Sequence, residues 1–119
     1  MRVLVVDDSA LVRTRLVEML ADIQGVEHVD SAAGFAEASV FVHTQPIDVA
    51  VLDVRMPDGS GIDLLRAIRA GGRSTLVIML TNYPLPQLRT TCLSAGADFF
   101  FDKSADFQRV ADIVQGVTV

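Results

Sequence analysis

Carboxylate, hydroxyl and ammonium groups follow four separate apolar stretches of the sequence. Asp7 and Asp8 come after the first stretch, Asp53 and Thr81 after two later ones, and Lys103 shortly after the last. Three carboxylates held close together repel one another, and burial adds to the cost of their charge. A hard divalent cation such as Mg²⁺, which prefers oxygen ligands, relieves that repulsion. With a hydroxyl and an ammonium group to hold the other oxygens of a phosphoryl group, the set predicts phosphoryl transfer onto a carboxylate nucleophile.

Each of these residues also has a simpler structural interpretation. Asp7 and Asp8 could cap a helix, Thr81 could end a strand, Lys103 could be a solvated surface charge, and Asp53 could start a turn. Their occurrence at successive strand ends favours a shared site instead. Lys103 is in addition the only Lys beside nine Arg, which suits a position that needs a compact point charge.

The apolar stretches are typical of buried strands of a parallel sheet, and helical patterns lie between them. Strands are predicted at 2–6, 26–32, 47–52, 76–80 and 98–101. Helices are predicted after each strand, the first capped by Asp8 or Ser9 and the fourth starting near Pro84 and Pro86. This alternation predicts right-handed βαβ units, hence a parallel sheet with helices on both faces. Ligands of such sheets bind beyond the carboxyl ends of the strands, where the polar residues would meet.

Composition and charge limit the class of protein. A length of 119 residues with 50% hydrophobic and 21% charged residues predicts one folded domain. The net charge of −5 argues against direct binding of nucleic acid, which needs a basic surface. No apolar run approaches the roughly 20 residues that span a bilayer, so no membrane association is expected. The single Cys92 and the lack of a signal-peptide pattern predict a cytoplasmic location.

The motifs resemble the receiver domain of two-component response regulators over essentially the whole chain. The markers are Asp7-Asp8, Asp53 followed by Met56-Pro57 and Gly61, then Thr81, Phe100 and Lys103. The resemblance implies an α/β, flavodoxin-like fold, a doubly wound (βα)5 domain whose five-stranded parallel sheet has the strand order 2-1-3-4-5. It also implies a single receiver domain over 1–119, of the stand-alone, chemotaxis-regulator-like kind.

The resemblance implies a phospho-acceptor and a Mg²⁺ site. Asp53 would take a phosphoryl group from a partner histidine kinase or histidine phosphotransfer protein. Asp8, Asp53 and the backbone carbonyl of Arg55 would bind Mg²⁺, with Asp7 acting through water. The protein would thus be a switch that catalyses only its own phosphorylation and dephosphorylation, and not a conventional enzyme.

The resemblance further implies how the switch would work. Lys103 would pair with the acyl phosphate, and Thr81 would move to form a hydrogen bond with it. Phe100 matches the aromatic residue that turns inward as the Thr moves, which would reshape the surface around Phe100 and the last helix for a downstream protein target.

Several residues are expected to tune the site. Asn82 stands where the family commonly has a small residue and would narrow access to the phosphate. Arg55 and Tyr83 would flank the phosphate and hinder an attacking water. Ser104 replaces a Pro that usually follows the Lys, so we predict a trans bond between Lys103 and Ser104, because a cis bond before a residue other than Pro costs roughly 2.5–4 kcal/mol. Ser104 is then predicted to cap the last helix, with Asp106 near its positive end.

Three other functions compete with this one. The chain could be a receiver fragment of a longer DNA-binding response regulator, although its end coincides with the predicted end of the fifth helix. An aspartyl-phosphate phosphatase of the haloacid dehalogenase kind would need Asp-x-Asp after the first strand, where the acids here are adjacent. A flavin-binding domain would need a Ser- and Thr-rich phosphate loop after Val6, which the sequence lacks.

Overall fold

Strands and helices alternate along the chain. The structure, a computed structural model, describes residues 1–118. Its strands are β1 (Arg2–Val6), β2 (His28–Ala32), β3 (Val49–Asp53), β4 (Arg55–Met56), β5 (Gly59–Ser60), β6 (Leu76–Thr81) and β7 (Phe99–Asp102). Its helices are α1 (Ala10–Ala21), α2 (Phe35–Thr44), α3 (Gly61–Ala70), α4 (Pro86–Ser94) and α5 (Phe107–Thr118).

Five of the strands form one parallel sheet in the order β2-β1-β3-β6-β7. This confirms the predicted order 2-1-3-4-5, because β4 and β5 pair only with each other in a short antiparallel hairpin. The sheet is covered on both faces. Val3 and Val5 of β1 pack among residues of α1 and α5, whereas Leu4 and Val6 pack among residues of α2, α3 and α4. The fold is therefore the predicted doubly wound α/β fold.

The most apolar run of the sequence forms β3, the central strand of the sheet. Every residue of β3 is buried, because β1 and β6 flank it and helices cover both of its faces. The predicted carboxyl ends of the strands agree with the structure to within one residue. The predicted starts are less exact, since the second and third strands begin two residues later, at His28 and Val49.

Side chains that accept hydrogen bonds from backbone amides mark two helix starts. Ser9 caps α1, as predicted, with its hydroxyl accepting from the Val12 amide at 3.3 Å. Ser60 caps α3 in the same way through the Ile62 amide at 3.1 Å. In α4, Pro86 takes a first-turn position while Pro84 stays outside the helix. No helix within residues 1–118 has the length and apolar character to cross a lipid bilayer.

The loop between β7 and α5 differs from the prediction in one respect. The bond between Lys103 and Ser104 is trans as predicted, since residues 1–118 contain no cis peptide bond. The predicted cap by Ser104 is wrong, because α5 begins only at Phe107. The backbone makes one further turn first, in which the Ser104 amide donates to Asp102 Oδ1 at 2.8 Å. Asp106 directly precedes α5, and its Oδ2 accepts from the Asp102 amide at 3.0 Å.

Candidate functional site

The parallel register brings the polar strand ends to one edge of the sheet. Val6, the last residue of β1, lies opposite Leu52, and Asp53 lies opposite Leu80. Thr81 pairs with Asp102, so that the chain reaches Lys103 at the same edge. The Lys103 amide donates to the Thr81 carbonyl at 2.9 Å, which anchors the lysine backbone to the neighbouring strand.

A buried ion-pair network forms the floor of this edge. Lys103 Nζ lies 2.8 Å from Asp7 Oδ2 and 3.1 Å from Asp53 Oδ2. The side chains of Lys103, Asp7 and Asp53 are only 7%, 1% and 6% exposed. Because a buried charge is tolerated only when it is well paired, the three groups depend on one another.

The three carboxylates form a cluster suited to a divalent cation. Asp7, Asp8 and Asp53 each offer an oxygen, and these oxygens lie within 4.8 Å of one another. Asp8 is exposed, which leaves that side of the cluster open to solvent. Asp7 Oδ1 accepts from the Ser9 amide at 2.8 Å, whereas the buried Oδ2 has the ion pair with Lys103 but no aligned hydrogen bond in the described chain. All the donors are hard oxygens, so the residues fit Mg²⁺, and a cation-bound water would supply the hydrogen bond that Asp7 Oδ2 lacks.

The surroundings shift the acid–base equilibria of the cluster. The pKa of Asp53 is raised from 3.8 to about 7, mainly by burial and also by the neighbouring side chains of Asp8 and Asp7, against the opposing effect of Lys103. Burial alone would lower the pKa of Lys103, but Asp7 and Asp53 outweigh burial and raise it. Lys103 therefore stays charged, while Asp53 holds a proton more readily than an exposed carboxyl.

A cavity of about 290 Å³ opens above the ion-pair network. Most of the residues predicted for the site line this cavity, namely Asp8, Asp53, Arg55, Thr81, Asn82, Tyr83 and Lys103. Ser9 and Val12 complete the lining. Thr81 is buried, and its hydroxyl accepts from the Tyr83 amide at 3.0 Å. Arg55, Asn82 and Tyr83 are exposed at the cavity rim.

Two of the predicted residues lie outside the cavity lining. Asp7 is 1% exposed and reaches the site through Lys103 and its place in the acid cluster. Phe100 is 6% exposed and packs in the core on the α4 side of the sheet, together with Cys92 and Ala97. Its ring therefore already points inward.

The β4–β5 hairpin, which follows Asp53 after one residue, brings Arg55 to the cavity lining. The Val54 carbonyl accepts from the Gly61 amide at 2.9 Å. Arg55 and Ser60 face each other next to that bond. They therefore form a non-hydrogen-bonded pair of the antiparallel hairpin. The Arg55 carbonyl is consequently directed away from the partner strand.

Gly61 is required where it stands because the chain passes very close to the end of β3. A Cβ at Gly61 would overlap the backbone carbonyl oxygen of Asp53 and approach Met79 Cε within 3.2 Å. This explains physically why a glycine lies at the start of α3.

Two residues near the site were not found from the sequence. Arg13 of α1 donates through Nη1 to the Asp7 carbonyl at 2.7 Å, which ties the acid pair to the helix after it. Asp58 accepts from the Phe35 and Ala36 amides at 2.7 and 3.1 Å, and these bonds lower the pKa of its carboxyl. Arg13 has no sequence signal, and Asp58 sits in a Pro-Asp-Gly segment that indicates only a turn.

Comparisons of sequence place this chain beside known proteins. A family model described as the response regulator receiver domain matches residues 3–115. The chain is 34% identical over 116 residues to the DNA-binding transcriptional activator DevR/DosR of Mycobacterium tuberculosis, a match that covers 98% of this chain and 54% of that protein. It is 33% identical over 117 residues to the transcriptional regulatory protein PhoP of Escherichia coli, covering 98% and 52%. The chain thus spans about half the length of the curated relatives it matches.

Solved structures are also similar to this chain over nearly its full length. A chain of the CheX-CheY-BeF3-Mg complex from Borrelia burgdorferi is 33% identical, with a TM-score of 0.85 and coverage of 100% of this chain and 90% of that one. The chemotaxis protein CheY4 of Vibrio cholerae is 29% identical, also with a TM-score of 0.85, covering 98% and 97%.

Proposed function

The chain belongs to the receiver-domain family of two-component response regulators, a family of phospho-accepting signalling switches and not of classical enzymes, and on this premise we propose that Asp53 is its phospho-acceptor. The observation that supports this choice is the position of the Asp53 carboxylate. It lies at the end of the central strand, on the cavity floor, 3.1 Å from the buried ammonium of Lys103.

The proposed reaction transfers a phosphoryl group from a phosphohistidine of a partner protein. A carboxylate oxygen of ionised Asp53 attacks phosphorus, the bond between phosphorus and the imidazole nitrogen breaks, and the imidazole, which carries a proton on its other ring nitrogen, leaves as the neutral ring. Lys103 pairs with the negative oxygens of the acyl phosphate that forms, since its ammonium already contacts Asp53. The Thr81 hydroxyl binds a further phosphate oxygen after it leaves the Tyr83 amide.

Receiver domains bind Mg²⁺, and for this chain we assign the ligands to the acid cluster. Asp8, Asp53 and the Arg55 carbonyl would bind the ion directly, and Asp7 would do so through water. When bound, the ion supplies positive charge that offsets the repulsion among the carboxylates and the phosphoryl oxygens.

Receiver domains interact with histidine kinases or phosphotransfer proteins, and a partner of this kind is proposed here as the phosphoryl donor. The output would be a changed surface around Phe100 and α5 that binds a downstream protein. A cytoplasmic location agrees with the one buried thiol, Cys92.

A second candidate is that this domain is the receiver part of a longer, DNA-binding regulator. The observation that favours it is that DevR/DosR, named as a DNA-binding transcriptional activator, is almost twice as long as the matched region. The mass of the protein isolated from its native cells distinguishes the two candidates, because a stand-alone receiver would have the 12.8 kDa of this chain.

The proposed acceptor is tested by intact-protein mass spectrometry after incubation with Mg²⁺ and a small acyl phosphate. The wild type should gain one phosphoryl group, and the same sample with EDTA should gain none. Asp53→Asn should also gain none, whereas Asp63→Asn, a change at an exposed acid of α3, should behave as the wild type. Undiminished phosphorylation of Asp53→Asn, or full phosphorylation in EDTA, would show that the assignment is wrong.

A further inference from the structure

The loop after the acceptor strand is fastened to a distant helix by one carboxylate. Asp58 lies between β4 and β5, and both of its oxygens accept backbone hydrogen bonds at the start of α2. Oδ1 accepts from the Phe35 amide at 2.7 Å and Oδ2 from the Ala36 amide at 3.1 Å. These two bonds, here called the Asp58 clasp, satisfy two of the amides that the first turn of a helix leaves without partners.

Two glycines, Gly34 and Gly59, let the hairpin and α2 come close enough for the clasp to form. A Cβ at Gly34, just before α2, would lie 2.7 Å from Asp58 Oδ1. A Cβ at Gly59, just after Asp58, would lie 2.7 Å from the Phe35 ring. A side chain at Gly59 would therefore push the hairpin away from α2, and one at Gly34 would displace the Asp58 carboxylate from its place.

The clasp completes the support of the hairpin that contains Arg55. At the base of the hairpin, the Val54 amide donates to the Leu80 carbonyl at 3.1 Å and the Val54 carbonyl accepts from Gly61. At the other end of the hairpin, the exposed tip at Asp58 is held by its two hydrogen bonds to α2. Arg55 lies between these two fixed points, so movement of the tip would displace its backbone.

We propose that Asp58 is a positioning residue for the cation site: by holding the hairpin tip against α2 it fixes the Arg55 carbonyl beside the acid cluster. The inference rests on the proposed function, since it takes that carbonyl as a ligand. It gives Asp58 a role beyond capping α2, and it makes the start of α2 and the cation site thermodynamically coupled.

The test measures Mg²⁺ affinity by titration calorimetry without a phosphoryl donor. Asp58→Ala removes the clasp, and Asp58→Glu keeps the negative charge but places the carboxylate one methylene further from its own backbone, out of position for the Phe35 and Ala36 amides. Both variants should bind Mg²⁺ about tenfold more weakly, the lower end of the range for residues that orient metal ligands. Asp63→Ala, which removes an exposed charge of α3, is the matched control and should keep wild-type affinity.

Comparing these variants distinguishes three effects of the Asp58 side chain: the position of its carboxylate, its negative charge and its capping of α2. Wild-type affinity in Asp58→Glu with weaker binding in Asp58→Ala would mean that only charge matters. A weakening below about threefold in either variant would overturn the proposal, even if α2 were destabilised.

A measurement on the wild type keeps the test valid if a variant does not fold. Because coupling is reciprocal, Mg²⁺ should slow hydrogen exchange of the Phe35 and Ala36 amides. Unchanged exchange at both amides under saturating Mg²⁺ would contradict the proposal. A wild type that bound no Mg²⁺ and accepted no phosphoryl group would instead contradict the proposed function itself.

Discussion

At the scale of single residues, the charge balance of the site depends on Lys103. Its ammonium lies between Asp7 and Asp53, and all three side chains are buried. Loss of Lys103 would leave two buried carboxylates without compensation, a change that typically costs about 3–5 kcal/mol, whereas loss of Asp53 would leave Lys103 paired with Asp7. The sequence indicated this residue in advance, since the chain uses Arg at its nine other basic positions.

The lifetime of the proposed acyl phosphate is expected to depend on individual residues at the cavity rim. Arg55 and Tyr83 are exposed and line the cavity beside Asp53, where their side chains would hinder an attacking water. We expect Arg55→Ala and Tyr83→Ala to lose phosphate severalfold faster than the wild type, measured as decay of the phosphorylated mass after removal of the donor. Arg66→Ala, a change at an exposed Arg of α3, should decay at the wild-type rate. Equal rates in all four proteins would show that the rim does not shield the phosphate.

At the scale of elements, the strand ends were predictable and the contacts between loops were not. Buried parallel strands have apolar runs that stop where the chain leaves the sheet, so Asp53 and Thr81 could be placed from the sequence. The β4–β5 hairpin was missed because strands of two residues have no detectable periodicity. The contact of Asp58 with α2 joins positions 22 or 23 residues apart, and no local pattern encodes it.

The predicted cap by Ser104 failed for a related reason. Ser is favoured at helix starts, but the position of a helix start also depends on the path of the loop before it. Here the hydrogen bonds between Asp102 and Asp106 close one more turn before α5, which shifts the helix past Ser104.

The junction between β3 and α3 is an element-level constraint that a single methyl group should break. Gly61→Ala places a Cβ against the Asp53 carbonyl oxygen, so α3 must shift, and we expect the free energy of unfolding to fall by about 1–3 kcal/mol. Gly116→Ala in α5 is the matched control, because no atom lies within 4 Å of its added Cβ. That change should stabilise the protein by about 0.5–1 kcal/mol through helix propensity. Urea unfolding measures both changes, and equal effects would contradict the predicted clash.

At the scale of the whole molecule, the acid cluster makes stability depend on pH. The pKa of Asp53 is raised from 3.8 to about 7, so the folded protein binds this proton more tightly than the unfolded chain does. Without a cation, stability from this group therefore falls as the pH rises from near 3.8 to near 7, and it stays low at higher pH.

Asp53→Asn cannot ionise and should avoid this loss. In EDTA at about pH 8 the variant should be more stable than the wild type by about 1–3 kcal/mol, after allowance for solvent screening. The difference should shrink as the pH falls toward 4, and Mg²⁺ should reduce it at pH 8 by stabilising the wild type. Thermal unfolding at several pH values measures these differences, and a gap independent of pH would show that ionisation of Asp53 has no cost.

The aromatic composition of the chain has an optical consequence at the cavity rim. The sequence has no Trp and a single Tyr, Tyr83, which is 63% exposed and lines the cavity. Nearly all ultraviolet fluorescence of the protein therefore originates from one phenol ring, in the same cavity lining as the Asp53 carboxylate. Its emission should change when a cation or phosphoryl group enters the cavity, so the unlabelled protein contains its own spectroscopic reporter of occupancy.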